Sequence, residues 1–220
     1  MAEKIDGNAL LNKRKTDKSL SVFFAFVIVV LSLSLLFSLN YTFVPIAGSS
    51  MENTFDNGDA VLVSLNKEVE RGDVIIIKGE KVEQINGKTV SCLIIKRVIA
   101  VGGDTVKFSD GDVYLKKSGE TGFTRLKEAY VKEANSTFYP YADDPTCTDE
   151  SEEIVIPEGE YFYLGDNRTN SRDSRTEEYS TCKESQIVGV VTERSIKNKQ
   201  ATKSLYDFTQ KIYSFFYNLF

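Results

Sequence analysis

The segment from Leu20 to Leu39 constrains the fold most, because none of its side chains is charged. Val, Ile, Leu and Phe dominate it, and at about 1.5 Å per residue a helix of this length spans roughly 30 Å of hydrocarbon. We therefore predict a single transmembrane helix over residues 20–40, preceded by a short segment over residues 1–19.

The charges on either side of this segment differ. Lys13, Arg14, Lys15 and Lys18 precede it, whereas residues 40–58 after it contain no Lys or Arg. Positive charge favours the cytoplasmic side of a membrane. We therefore expect a cytoplasmic N-terminus and an extracytoplasmic domain over residues 41–200.

A cleaved secretory signal is the competing interpretation of the same segment. The apolar run is longer than the usual apolar region of a signal peptide. A cut after Ala47 would also place Pro45 three residues upstream, where a small residue is expected. A retained anchor is therefore favoured, with the lipid bilayer as a partner.

Composition narrows the possible functions of the extracytoplasmic part. The net charge is -5 and no concentrated basic patch is present, which argues against a nucleic-acid partner. The chain has no histidine, and its three cysteines are Cys92, Cys147 and Cys182, too scattered for a zinc site. We expect no metal and no cofactor. Pairing of Cys147 with Cys182 remains open, and Cys92 is expected to be a buried free thiol.

After the anchor, short β-branched runs alternate with turn residues, so the sequence predicts an all-β domain. Asp110 and Gly111 between two such runs indicate a hairpin. The predicted strands are Ala60–Ser64, Val74–Lys78, Val90–Val101, Thr105–Phe108, Val113–Leu115, Ile154–Ile156, Tyr161–Leu164 and Ile187–Thr192.

Two further segments differ from this pattern. Residues 133–153 are rich in Asp, Glu, Ser, Thr and Pro, which predicts an exposed, mobile insertion. Residues 201–220 predict an amphipathic helix, whose apolar face either lies in the membrane interface or packs on the β domain. Its apolar residues are spaced by three and four: Leu205, Phe208, Ile212, Phe215, Phe216 and Leu219.

Ser50 and Lys96 are the candidate catalytic residues. A serine hydroxyl needs a base, and without histidine a neutral lysine amine can serve if burial lowers its pKa. Lys96 lies between Ile95 and the apolar pair Val98 and Ile99, where desolvation would disfavour the ammonium form. A solvent-facing strand lysine is the simpler alternative.

Four ordered segments resemble those of the bacterial type I signal peptidases, which are membrane-anchored serine/lysine proteases. The likeness extends from the anchor to about Val191 and is closest to the compact Gram-positive type. The segments are Gly48 to Asp59, Arg71 to Val74, Ile95 to Asp104 and Gly165 to Arg175.

The resemblance implies an antiparallel β-sheet core shared with self-cleaving repressors, and removal of signal peptides from exported preproteins after small residues. Ser50 would be the nucleophile and Lys96 the general base. Gly48 would lie at the oxyanion site, Ser171 would orient the Lys96 amine, and Met51 would line the substrate groove. A supporting ion-pair network would contain Arg97, Asp166, Asp173 and Arg175.

The sequence departs from the family at one position close to the nucleophile. Asn53 stands where the family usually has proline, which removes a restraint on φ and changes the expected groove wall. After Arg175, the aromatic and glycine residues common in the family are also replaced.

Two other classes of protein are alternatives to a signal peptidase. A self-cleaving repressor would share the Ser50 and Lys96 pair, but it would need a DNA-binding domain and none precedes Ser50. A non-catalytic, membrane-tethered assembly factor could bind pilins or other exported chains on the same fold. Binding alone would not require both Ser50 and Lys96.

Overall fold

The computed structural model describes residues 7–85, 88–132, 136–138, 151–176 and 179–217. They belong to two units, Met1–Tyr41 and Thr42–Phe220. The first unit is helix α1 (Gly7–Asn40). Its segment Lys18–Asn40, with a mean hydropathy of 2.8, is long and apolar enough to cross a membrane.

Polar groups in the apolar part of α1 bond within the helix. The Ser32 and Ser38 hydroxyls donate to backbone carbonyls one turn earlier, and the Asn40 amide donates to the carbonyl of Leu36 at 2.7 Å. Such internal bonding is what hydrocarbon requires of a polar side chain. Helix α1 therefore covers the span predicted over residues 20–40 without an unpaired polar group at these three positions.

The second unit is built from two sheets. In the larger sheet the strand order is β1-β2-β11-β3-β4-β9-β10, and in the smaller it is β7-β6-β5-β8. The larger sheet contains β1 (Tyr41–Pro45), β2 (Ala60–Ser64), β3 (Val74–Ile85), β4 (Lys88–Val101), β9 (Glu160–Leu164), β10 (Cys182–Lys183) and β11 (Ile187–Val191). The smaller contains β5 (Thr105–Ser109), β6 (Asp112–Lys116), β7 (Thr124–Arg125) and β8 (Ile154–Val155).

Helical segments connect and follow these strands. They are the 3-10 turns Arg168–Asn170 and Glu184–Gln186, helix α2 (Glu193–Lys197) and helix α3 (Lys199–Tyr217). Thr192 caps α2, since its side chain accepts a hydrogen bond from the backbone N–H of Ser195.

The predicted antiparallel β core is confirmed. Strand β3 pairs antiparallel with both β4 and β11, and β9 pairs antiparallel with β4 and β10. All eight predicted runs coincide with strands, although β3 continues to Ile85. Strands β1, β7 and β10 were not predicted: β7 and β10 have only two residues each, and β1 follows the long apolar segment of α1 without a turn to separate them.

The hairpin between β5 and β6 has the predicted turn. Asp110 has a φ of 52° and Gly111 a φ of 76°, so both central residues have positive φ. That is the type I′ geometry whose twist matches the paired strands. The turn brings Ser109 opposite Asp112 and sets the register of the whole pair.

Apolar residues form three clusters around the sheets. One joins the loop after β1 to β2, β3 and β11; its members include Ile46, Phe55 and Val63. A second fills the small sheet and packs against β9 through Phe162. The third lies around Ile75 and Tyr163. Strands β3 and β4 thus lie between packed layers, which is why their apolar runs are nearly continuous.

The structure describes two of the three cysteines. Cys182 is a buried free thiol, and burial raises the pKa of that thiol to about 12. Cys147, the partner considered for it, lies outside the described residues. Cys92 is half-buried on β4, not buried as predicted.

The exposed insertion predicted over residues 133–153 is wrong at two positions. Ser136 and Thr137 are buried, and the Thr137 hydroxyl accepts a hydrogen bond from Arg168 at 2.7 Å. Most of the remaining segment, and with it the expected mobility, lies outside the described residues.

The predicted tail helix is present as α3, which contacts β2 and α2. It begins at Lys199, a few residues earlier than the apolar spacing suggested. The side chain of Phe216 and the residue Leu219 lie outside the described residues.

An ion pair links the turn before β3 to the turn after β4. Arg71 donates to both carboxylate oxygens of Asp104, at 2.6 and 2.7 Å. The same carboxylate accepts the backbone N–H groups of Val101 and Ser118. Burial acts to raise the pKa of Asp104, but these hydrogen bonds outweigh it and lower the pKa.

We predict that Asp104→Asn lowers the free energy of unfolding by about 2 kcal/mol, because it leaves the Arg71 guanidinium and buried donors without a carboxylate. The thermal midpoint of the full chain in detergent measures this. Glu193→Gln, which removes an exposed i,i+4 pair with Lys197, is the control and should change the midpoint less. Equal midpoints for the two variants would contradict the role given to Asp104.

Candidate active site

The loop between β1 and β2 carries Ser50. Two backbone hydrogen bonds close the base of this loop. The Ile46 N–H donates to the carbonyl of Asp59 at 2.8 Å, and the Gly58 N–H donates to the carbonyl of Ile46 at 2.9 Å. Inside it, the N–H groups of Thr54 and Phe55 donate to the carbonyl of Met51. The loop is therefore a fixed turn, not an open connection, and it leaves Ser50 half-buried.

Lys96 lies on β4 directly opposite Ile75 of β3. Its side chain is only 4% exposed, and its Nζ is 2.6 Å from Ser50 Oγ. The alternative of a solvent-facing strand lysine is thereby excluded. The structure brings together the two candidate catalytic groups, which are 46 residues apart in the sequence.

Burial changes the acidity of Lys96. Desolvation lowers its pKa to about 8, and the guanidinium of Arg175 acts in the same direction. The carboxylates of Asp173 and Asp166 act against this change. A much larger fraction of the amine is therefore neutral near pH 8 than in an exposed lysine.

The segment 165–175 after β9 holds the Ser50 loop between β1 and β2 in place. Asn167 N–H donates to the carbonyl of Ser50 at 3.0 Å, and its side-chain amide donates to the carbonyl of Ser49 at 3.1 Å. Asn170 adds a bond to the Ser49 hydroxyl at 2.8 Å. No role was predicted for either asparagine, although both lie in the segment Gly165 to Arg175 that resembles the family.

Gly165 lies at the closest approach of the two segments. A Cβ placed there would lie 2.1 Å from Ser171 Oγ and 2.5 Å from the Ser50 carbonyl oxygen. No side chain can occupy that space without moving the backbone. Gly165 is thus part of the site. The sequence pointed to the segment Gly165 to Arg175 but not to this residue.

The predicted network contains a bidentate ion pair between Arg97 and Asp166. Arg97 follows Lys96 on β4 and donates to the two Asp166 oxygens at 2.8 and 2.7 Å. The Thr54 hydroxyl also donates to Asp166, and Arg97 reaches the carbonyl of Gly72 at 2.8 Å. Burial acts to lower the pKa of Arg97, but bonding to Asp166 raises it overall.

Asp173 and Arg175 form a second buried ion pair. Arg175 Nε donates to Asp173 Oδ1 at 2.8 Å, and Arg175 Nη2 donates to Asp173 Oδ2 at 3.0 Å. Burial would raise the pKa of Asp173, but Arg175, the N–H of Gly165 and the Ser171 hydroxyl together lower it. The Arg175 guanidinium also donates to the carbonyl of Arg168 at 2.7 Å. The pair therefore fixes both ends of the segment around Ser171.

Ser171 is buried at the centre of this segment, 2% exposed. Its hydroxyl contributes to stabilising the Asp173 carboxylate. The hydrogen bond of Lys96 described above is to Ser50. The orienting bond from Ser171 to Lys96 therefore stays a prediction, while the position of Ser171 against Gly165 places it close to the Ser50 backbone.

Two predicted site residues have other roles. The backbone N–H of Gly48, expected at the oxyanion site, donates to the side chain of Asn57 at 3.1 Å. Gly48 has a φ of 98°, so its contribution is the bend of the loop. Met51 is 1% exposed and belongs to the core cluster with Phe55, so it does not line an open groove.

A third buried arginine, Arg168, was not predicted. The Arg168 guanidinium donates to both oxygens of Glu128 and to the Thr137 hydroxyl. Glu128 also accepts from the Tyr130 hydroxyl, and the Tyr130 ring lies 3.9 Å from the Arg97 guanidinium carbon. The segment 128–130 thus covers both the Arg97 and Arg168 side chains.

Asn53, which stands where the family usually has proline, has an unusual backbone conformation. Its φ is 92°, and its side-chain amide donates to the carbonyl of Tyr130 at 2.6 Å. Proline, with φ near −65°, cannot adopt this conformation. The lost proline restraint is thus replaced by a hydrogen bond to the segment that covers the network.

Comparison with known proteins identifies a family that this chain matches. The family model described as "Signal peptidase, peptidase S26" matches residues 18–196. Signal peptidase I T of Bacillus subtilis (strain 168) is 34% identical over 171 residues, which cover 74% of this chain and 78% of that protein. A signal peptidase I of Bacillus amyloliquefaciens is 29% identical over 170 residues, or 74% of this chain and 82% of that protein.

Solved structures match as well, and one of them is a signal peptidase I. The crystal structure of a signal peptidase I from Enterococcus faecalis V583 is 25% identical, covers 57% of this chain and 98% of that chain, and gives a TM-score of 0.39.

We predict that Gly165→Ala destabilises the protein by about 3 kcal/mol, because the added methyl group overlaps Ser171 and the Ser50 carbonyl. The thermal midpoint of the full chain measures the effect. Gly122→Ala is the matched control, since nothing lies within 4 Å of a Cβ at Gly122 and its φ is not positive. A Gly165→Ala midpoint equal to that of the control would show that the two segments are not in tight contact.

Proposed function

The chain belongs to the peptidase S26 family of signal peptidases, hydrolases that remove signal peptides from exported preproteins, and we propose that Ser50 and Lys96 carry out its cleavage. The observation that carries this assignment is the 2.6 Å distance between Lys96 Nζ and Ser50 Oγ, with the pKa of Lys96 lowered to about 8 by burial. A neutral amine at that distance can accept the serine proton as attack begins.

In the first half of the reaction, Ser50 Oγ attacks the scissile carbonyl carbon while its proton passes to Lys96 Nζ. A tetrahedral oxyanion results. When it collapses, the bond from carbon to nitrogen breaks, and the Lys96 ammonium gives its proton to the leaving amine. The mature protein departs, and the signal peptide remains bound to Ser50 as an ester.

In the second half, the neutral Lys96 amine takes a proton from a water that attacks the ester carbonyl. Collapse of the second tetrahedral oxyanion releases the signal peptide as a carboxylic acid, which loses its proton to the solvent. The proton on Lys96 returns to Ser50 Oγ. One water is consumed, and both side chains regain their starting protonation states.

The backbone N–H of Ser50 is the proposed first donor to the oxyanion, since it makes no hydrogen bond within the described part of the chain. The second donor is then a water or a group supplied by the bound substrate, because Gly48 N–H already bonds to Asn57. Arg97, Asp166, Asp173 and Arg175 are proposed to act through position and charge around Lys96, without touching the substrate.

Membrane attachment is proposed to occur through α1. Its segment Lys18–Asn40 has the length and composition of a span, and the Lys and Arg residues before it favour a cytoplasmic N-terminus. This orientation would put Ser50 on the side of the membrane where exported chains emerge. The lipid bilayer is then a partner of the protein, together with the signal peptide.

A non-catalytic assembly factor, the alternative that keeps the fold for binding alone, is not favoured. The buried Lys96 carries a desolvation cost that a binding surface would not need. A catalytic role of the contact between Lys96 and Ser50 would explain why the lysine is buried despite this cost.

We expect Ser50→Ala and Lys96→Ala each to lower kcat/KM for a preprotein by a factor of at least about 10³, because each removes one member of a unit. Purified full chain in detergent, incubated with a preprotein, provides the measurement. Lys78→Ala, which removes an exposed lysine from the neighbouring strand β3, is the matched control. Full cleavage by either of the first two variants would rule out the proposed mechanism.

The pH dependence follows from the same lysine. Only the neutral amine accepts a proton from Ser50, so kcat/KM should rise with pH through an apparent pKa of about 8 and then level off. Cleavage initial rates at fixed, subsaturating preprotein give the profile. A rise delayed until about pH 10.4, the value for an exposed lysine, would contradict burial of the base.

A further inference from the structure

Helix α3 (Lys199–Tyr217) packs on the β domain through a side that is not its most apolar one. Thr202 is buried, while Tyr206 and Thr209 are half-buried, and the Tyr206 ring lies 6.1 Å from the ring of Phe43 on β1. These three positions follow one another at spacings of four and three residues. They define the docked side of α3.

A second side of α3 is apolar and faces away from the domain. Leu205, Phe208, Ile212 and Phe215 have spacings of three and four residues, and are 48%, 58%, 43% and 62% exposed. At about 100° per residue this stripe is centred roughly 100° around the helix from the docked side. The expectation that the apolar face packs on the β domain is therefore wrong for these four residues.

The exposed side has the composition of an interfacial helix. Tyr213 and Tyr217 continue the line of the docked side beyond Thr209; they are 68% and 74% exposed, and their rings stack on each other at 6.2 Å. Tyrosine is enriched where a membrane meets water. An exposed stripe of Leu, Ile and Phe on a helix that also exposes tyrosines near its end is typical of a helix that lies in the plane of the interface.

Charge points to the same kind of partner. Helix α3 contains Lys199, Lys203 and Lys211 against Asp207 alone, so three positive charges minus one negative leave a net charge of +2. The whole chain has a net charge of -5. The helix is thus a positive element in an acidic protein, which complements an anionic lipid surface.

We propose that the stripe of Leu205, Phe208, Ile212 and Phe215 inserts into the interface of an anionic bilayer, as a second membrane contact besides α1. The inference uses the membrane attachment proposed for α1 but not the peptidase chemistry. Attachment through α1 would keep the lipid surface at high local concentration, so that a short apolar stripe suffices. A second copy of the chain would match the apolar stripe, but the positive charge of one α3 would repel that of another.

Because the chain contains no tryptophan, a single introduced indole reports on one position. The full-length variants Phe208→Trp and Phe215→Trp place it in the stripe, and Gln210→Trp places it on the exposed polar side as the matched control. Each is reconstituted in vesicles of phosphatidylcholine and phosphatidylglycerol, with part of the lipid brominated on its acyl chains. Flotation with the vesicles checks α1 separately, and preprotein cleavage checks folding.

We expect the two stripe indoles to emit at shorter wavelength than the control and to lose most of their fluorescence to brominated lipid. Quenching of the stripe indoles no greater than that of Gln210→Trp would overturn the proposal, even if the protein floats and cleaves normally. A blue-shifted, unquenched stripe emission that weakens on dilution into more lipid would assign the face to a second copy instead, which also overturns it. Chains that do not float would overturn the lipid contacts of α1 and α3 together.

Discussion

The charge balance around Lys96 is the constraint on which the rest of the site depends. Burial favours the neutral amine, but two nearby carboxylates, Asp166 and Asp173, favour the ammonium. Each carboxylate is held by its own guanidinium, from Arg97 and Arg175 respectively. Because the arginines offset their negative charge, Asp166 and Asp173 can hold the backbone around Lys96 while stabilising its ammonium form less.

Much of this arrangement could be predicted from the sequence. Continuous β-branched runs indicate the central strands, because those strands are covered on both faces. The Asp110-Gly111 pair indicates a hairpin turn, because the turn requires residues that adopt positive φ. The absence of histidine directs the search for a base to lysine. An apolar neighbourhood then singles out Lys96, and its burial and contact with Ser50 agree with that choice.

The residues that could not be predicted depend on distant parts of the chain. Arg168 and Glu128 are 40 residues apart, and no local pattern connects them. Met51 is next to the candidate nucleophile, yet the turn at its carbonyl directs its side chain into the core. Strand β10 has only two residues, too few to show any periodicity.

The backbone of Asn53 bears on how selective an inhibitor of this protein can be. Relative to proline, whose φ is near −65°, its φ of 92° is rotated by roughly 160°, which redirects the chain immediately after the turn that carries Ser50. A compound shaped against a proline-containing relative would meet a different surface beside Ser50. Conversely, a compound that displaces the Asn53 bond to Tyr130 would act on a contact that a proline side chain cannot make, and would spare proteins that carry proline there.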